Sequence, residues 1–418
     1  MIDFTSSLYL GMAHGSVTLP PWSKLTCGRP AALGSPPGAR EVARSLAERV
    51  GLSRAVLSPS TLHIAWDLFA QLCRGGDTSI HVDRGAYPVL RWGIERAAAR
   101  GAPVHVFAHH DPGSLHRSLA ARRSRGPALV VCDGCCPACG RLAPLDAYQR
   151  AARATRGVLI IDDTQALGVW GRPAAGAPYG QGGGGSLRAL GVGGRVLLVA
   201  SLAKAFGAPL AALSGSRADI DAFVRDSDTR VHCSPPSLAA IRAAARALQL
   251  DHARGDARRA RLHANVRRLR APLLAAGLEV RGASFPVQSL PLAPGMDPVE
   301  LHRALLARGI RTFVTQSRCE VGPRLGMVVR ADHLPEHLER AAHAVLEAYC
   351  CGRMQNGCGI DREGKSPCGR RETDTRCTSP GRACGPSWPD RTCPAGRSPV
   401  TAAAAAAAGR AMDARAPG

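Results

Sequence analysis

The sequence predicts an α/β chain built on a mostly parallel, doubly wound sheet, with a smaller C-terminal α+β unit. Three observations predict it. Short apolar runs recur at Ser79–Val82, Val104–Phe107, Ala128–Cys132, Val158–Ile161 and Val196–Ala200. Stretches of helical spacing separate them, at about 60–74, about 86–100 and from Pro144 onward. The last three runs are apolar at every position, the pattern of parallel strands covered on both faces.

The elements follow in order. Pro144 opens a helix with Leu145, Tyr148 and Ala152 on one face, and Gly157 is its expected C-cap. From Tyr179 to Gly194 there is no periodicity, and Gly182–Gly185 are four consecutive glycines, so a flexible loop is expected. Residues 236–276 read as long helices, and about 278–349 as the smaller α+β unit, ending in a helix over Leu334–Tyr349. Beyond Cys351 the chain is rich in Gly, Pro, Arg and Ser and carries the run Ala402–Ala408, too little apolar surface to offset ordering. The expected organisation is an N-terminal segment (1–52), a large domain (53–250), a small domain (251–350) and a disordered tail (351–418).

A net charge of +22 raises nucleic acid as a partner. Yet only Lys24, Lys204 and Lys365 are lysines, and arginines such as Arg153, Arg156, Arg258, Arg259 and Arg261 lie along amphipathic helices. They read as solvated faces, and 4% aromatics offer no base-stacking platform. Nucleic acid is therefore not the expected partner. No apolar run reaches the ~18 residues of a membrane span. The opening residues lack a basic stretch ahead of an apolar core, so the expected compartment is the cytoplasm.

The 15 cysteines are expected as thiols there. Cys132-Asp-Gly-Cys135 and Cys136-Pro-Ala-Cys139 have spacings that can hold zinc or an iron–sulfur cluster. The other cues of a zinc ribbon are missing, so the expectation is a loop without metal. His14, His109, His110 and His232 show no metal-pair spacing and read as loop residues.

Two strand ends carry the chemistry. Asp162 directly follows a buried strand, at the carboxyl edge where α/β folds bind ligands. Lys204 follows Val196–Ala200 within Ser201-Leu-Ala-Lys204-Ala-Phe-Gly207. A buried lysine tends to lose its proton, the state that condenses with a carbonyl.

These motifs resemble the fold-type-I pyridoxal-phosphate (PLP) enzymes, in particular the α-oxoamine synthase group. The similar stretches are Asp162-Asp-Thr-Gln165-Ala-Leu-Gly168, the Lys204 motif, the opening Asp3-Phe-Thr-Ser-Ser-Leu-Tyr-Leu-Gly11 and Gly140-Arg-Leu-Ala-Pro-Leu145. The resemblance covers roughly residues 1–350. It implies that Lys204 holds PLP as a Schiff base and moves protons at the substrate α-carbon, while Asp162 pairs with the pyridinium. It places Gln165 near the ring hydroxyl in place of a family His, and Tyr87 on the ring face in place of another. It assigns the phosphate to Ser60, Thr61 and Ser201 at a helix N-terminus.

For the substrate the resemblance points to Ser7, where the family has Asn, to His232, and to an arginine that grips the amino-acid carboxylate. That arginine aligns with Gly326. Arg324 and Arg330 share its parity and are the candidates to replace it. The implied protein is a homodimeric PLP-dependent transferase that condenses an amino acid with an acyl-CoA or acyl-carrier thioester. An aminotransferase or other PLP reaction, and a basic nucleic-acid-binding or regulatory protein on a retained scaffold, are the alternatives.

Overall fold

The structure, a computed structural model, describes residues 1–316, 319 and 322–355, with side chains to Tyr349. Most of the expected tail, from 356 on, lies outside the described residues.

Seven strands form the central sheet, in the order Arg54–Ser58, Ala211–Gly215, Val196–Ser201, Val158–Asp162, Ala128–Asp133, Ser79–Asp83, Val104–Phe107. All run parallel except Ala211–Gly215, which is antiparallel to both neighbours. The fold is thus the doubly wound, mostly parallel one expected. Two of the strands, Arg54–Ser58 and Ala211–Gly215, belong to no run recognised in the sequence.

The continuous apolar runs are explained by two cores. Leu129, Val131, Ile160, Leu197 and Val199 join the core that contains Ile64, Phe69 and Leu90 from the helices Thr61–Leu72 and Pro88–Ala98. Their alternates Val130, Cys132, Leu159, Ile161 and Leu198 face the opposite core, with Leu46, Tyr148 and Ile241. Each strand is apolar at every step because side chains alternate between two buried faces.

Several local expectations need correction. The segment read as a flexible loop, Tyr179–Gly194, instead holds the end of the strand Ala177–Gln181, which pairs with Arg172–Ala174, and then the helix Ser186–Leu190. Its order comes from long-range bonds: the Gly171 N–H donates to the Tyr179 carbonyl, and the buried Asp163 carboxylate receives the Ser186 N–H. The helix Leu145–Ala154 is capped by Thr155 and followed by Arg156 at φ 55°, so the expected cap, Gly157, lies two residues past the observed one. Residues 236–276 hold one helix, Leu238–Ala275, rather than several.

That long helix is tied to the site by a buried ion network. Arg259, 2% exposed, donates to Asp251 (2.7 Å), Asp256 (2.7 Å) and the Gly168 carbonyl (2.9 Å). Gly168 closes the loop that begins at Asp162. The C-terminal unit has a three-stranded antiparallel sheet, Val287–Pro291, Pro323–Val328 and Phe313–Gln316, backed by Pro298–Ala307, against which Pro335–Gln355 packs in turn.

Candidate active site

Parallel strands aim their carboxyl ends at one edge of the sheet, and this edge collects polar side chains. Asp83, Asp133, Asp162 and Ser201 each close a strand there. Registration sets Asp133 directly opposite Asp162. A cavity of about 230 Å³ opens over this edge, lined by Ser7, Thr61, Tyr87, Asp133, Asp162, Thr164, Gln165, Ser201 and Lys204.

Within it, Asp162 is 4% exposed and accepts the Thr164 N–H at 3.0 Å. Burial pushes its carboxyl above the usual carboxylate range, against the bonds from Thr164 and the nearby Lys204 charge. Burial also lowers the Lys204 amine below the usual lysine value, and the Asp162 charge offsets part of that. The two groups feel each other without forming a direct ion pair, so both remain available to something between them. The Thr164 hydroxyl receives the Ser201 N–H at 2.9 Å, which binds the strand ends carrying the acid and the lysine to one another.

Gln165 is buried, and its Oε1 accepts from the Tyr9 hydroxyl at 2.5 Å. Its NH₂ is thereby left as the end still able to donate. Tyr87 caps the helix Pro88–Ala98, and its N–H donates to Asp133 at 3.0 Å. At the helix Thr61–Leu72 the N-cap Ser60 makes no side-chain cap bond; its hydroxyl turns to His63 Nδ1 at 2.8 Å. The first-turn N–H groups beside Thr61 therefore suit an anion.

A second, larger cavity of about 400 Å³ shares Ser7, Tyr87, Asp133, Gln165 and Lys204 with the first. Its far wall comes from the C-terminal sheet and includes Phe313, Thr315, Gln316, Arg324 and Val328. Here the arginine question has a structural answer. A side chain at Gly326 would strike the Phe313 ring, 2.4 Å from the position of a Cβ. Arg324, two residues away on the same face and 7% exposed, is the arginine of this strand that lines the cavity. Arg330 lies beyond the strand end, where parity no longer governs it, and pairs with Asp332 at 2.9 Å. Ser60 and His232 line neither cavity, and His232 is exposed at the end of the short helix Asp228–His232.

Sequence reading passed over Asp133, Thr164 and Tyr9. Asp133 had the same signal as Asp162, an acid ending an apolar strand. Tyr9 had none, since its partner lies 156 residues away.

PLP would bring an aldehyde for an amine, a pyridinium for a carboxylate and a phosphate for hydroxyls at a helix start. The cavity offers each partner: Lys204, Asp162, and Thr61 with Ser201. The residues fit the cofactor.

Fold and site together define a PLP-dependent transferase of fold type I. A sequence profile of the aminotransferase class I and II family matches residues 1–345, and the chain belongs to that family. Among curated relatives, the 8-amino-7-oxononanoate synthase of Methylococcus capsulatus is 30% identical over 367 residues, 83% of this chain and 89% of the relative. That of Pseudomonas putida is 29% identical over 362 residues, covering 84% and 88%. Among solved structures, a serine palmitoyltransferase from S. paucimobilis with PLP and myriocin bound aligns with a TM-score of 0.72 at 17% identity, covering 84% of this chain and 88% of that one. An 8-amino-7-oxononanoate synthase from Francisella tularensis aligns at 0.63 and 17%, covering 83% and 97%. At these identities the structural likeness speaks for the fold.

Proposed function

We propose that the chain condenses an amino acid with an acyl thioester: a bond forms between the amino-acid α-carbon and the acyl carbon, with release of the thiol and of carbon dioxide. The observation that carries this is the continuity of the two cavities, the inner one flanked by Lys204 and Asp162, the outer one walled by Arg324. Bound PLP supplies the ring that accepts electrons from the substrate α-carbon.

This chain's residues supply the rest. Lys204 holds the cofactor and then moves the proton at the α-carbon, for which its lowered basicity suits it. Asp162 balances a positive charge on the ring nitrogen. Tyr87 would offer its aromatic face to the ring, and the Gln165 NH₂ would donate to the ring hydroxyl. Thr61 and Ser201, with the helix start after Ser60, hold the phosphate. Arg324 grips the substrate carboxylate, and Ser7 lines the junction between the chambers.

The family and the relatives named 8-amino-7-oxononanoate synthase support this reading. It extends to a homodimer acting in the cytoplasm on an acyl-CoA or acyl-carrier thioester. No helix among the described residues is long and apolar enough to cross a membrane.

The test incubates purified protein and PLP with glycine, alanine or serine and an acyl-CoA. Thiol release that depends on the amino acid and is absent in Lys204→Ala is expected. Conversion of a keto acid to an amino acid, with no thiol release, would replace the proposal with an aminotransferase.

A further inference from the structure

Four metal-binding side chains converge beside the outer cavity. His109 follows the strand Val104–Phe107, Cys136 and Cys139 sit in the turn after Ala128–Asp133, and Cys319 comes from the segment joining Phe313–Gln316 to Pro323–Val328. Their ligand atoms all lie within 4.8 Å of one another. Cys136 Sγ is 3.6 Å from Cys319 Sγ, and Cys139 Sγ is 3.7 Å from His109 Nε2.

These distances discriminate between chemistries. A disulfide needs sulfurs about 2.05 Å apart. A tetrahedral zinc ion, with bonds of about 2.3 Å to sulfur and about 2.0 Å to nitrogen, holds sulfurs about 3.8 Å apart and a sulfur about 3.5 Å from the nitrogen. The observed spacings are those of donors around a single ion.

The surroundings agree. His109 Nδ1 lies 2.7 Å from the buried Asp83 carboxylate, which also accepts the Gly85 N–H (2.7 Å) and the His110 N–H (3.0 Å). A carboxylate on Nδ1 fixes the ring so that Nε2 turns its lone pair to the thiols, the outer support of many zinc-bound histidines. The Cys136–Cys139 turn is closed by the Cys136 N–H to the Arg141 carbonyl (3.0 Å) and the Gly140 N–H to the Cys136 carbonyl (2.8 Å). Gly140 has φ 71°, and a Cβ there would lie 1.9 Å from the Gly282 carbonyl oxygen, so this position needs glycine. Cys132 and Cys135 are excluded, because both are fully buried in the apolar core.

We infer that His109, Cys136, Cys139 and Cys319 form a structural zinc site. Four protein donors leave no open position, so the ion takes no part in the reaction. Its effect is mechanical. It joins the carboxyl edge of the large sheet to Cys319, between two strands of the C-terminal sheet, and so fixes the wall of the outer cavity that Cys136, Pro137, Gln316 and Arg324 line.

The full-length protein, purified with a phosphine reductant, tests this by elemental analysis. About one zinc per chain is expected in wild type, in Cys27→Ser and in Lys204→Ala, the last separating this site from the proposed reaction. Cys139→Ser, Cys319→Ser and His109→Ala should lose zinc affinity by tenfold or more. In case those variants misfold, cobalt(II) added to chelator-stripped wild type should give thiolate charge-transfer and strong visible bands of a four-coordinate ion. Three outcomes would overturn the inference: reduced wild type holding under about a tenth of an equivalent of metal and taking up no added zinc(II); recovery of a Cys136–Cys319 disulfide peptide in place of metal; or a folded Cys319→Ser that retains zinc as wild type does.

Discussion

Replacing Arg324 by Met separates the two arginines that sequence parity left equal. Met keeps much of the stem volume and removes the guanidinium from the outer cavity. A charge-assisted hydrogen bond contributes roughly 1.5–3 kcal/mol, and a two-pronged grip on a carboxylate roughly 3–5 kcal/mol. At about 1.4 kcal/mol per tenfold, amino-acid kcat/KM should fall by roughly 10²- to 4 × 10³-fold. The grip is made in ground and transition states alike, so most of the loss belongs in the amino-acid KM, with the thioester KM unchanged. Arg330→Met removes a partner of Asp332 at the surface and should change kcat/KM by less than about twofold. The assay is steady-state thiol release with each substrate varied, beside a thermal melt showing both variants folded. An unchanged amino-acid KM in folded Arg324→Met, or a larger effect from Arg330→Met, would refute the assignment.

Further expectations follow from particular contacts. Asp162→Asn removes the buried charge facing a ring nitrogen and should cut turnover by roughly 10²- to 10³-fold while the protein still melts cooperatively, on the scale of about 3–5 kcal/mol for breaking a buried pair; activity within tenfold of wild type would contradict its role. Arg259→Met leaves Asp251 with Arg49 alone and frees the Gly168 carbonyl, so urea unfolding should show a loss of about 3–5 kcal/mol. His81 is fully buried between Ser79 and Ser118 and stacked on His105, and burial lowers its pKa to about 4. The unfolded chain therefore binds the extra proton first, so stability should fall as pH drops from about 6.5 to about 4, by about 3 kcal/mol, and His81→Gln should flatten that part of the profile.

Lys204 and Asp162 were legible in the sequence because their placement is local. A strand apolar on both faces must be buried, and where helical stretches separate such strands they are expected to run parallel, with the residues that end them at the ligand-binding edge. The same logic covers Gln165 and Ser201, a few residues from those strand ends. The antiparallel strand Ala211–Gly215 and the ordered hairpin before Ser186 were not legible, since pairing partners and not local pattern define them.

By itself, then, the sequence determined the α/β class, the lysine, the acid and their order along the sheet, because strand burial and periodicity are properties of neighbouring residues. Tertiary structure alone decided that Phe313 fills the space over Gly326, that Arg324 rather than Arg330 lines the cavity, and that Cys319 meets His109 across 210 residues. Such meetings depend on how one sheet packs against another, and no spacing along the chain encodes that distance.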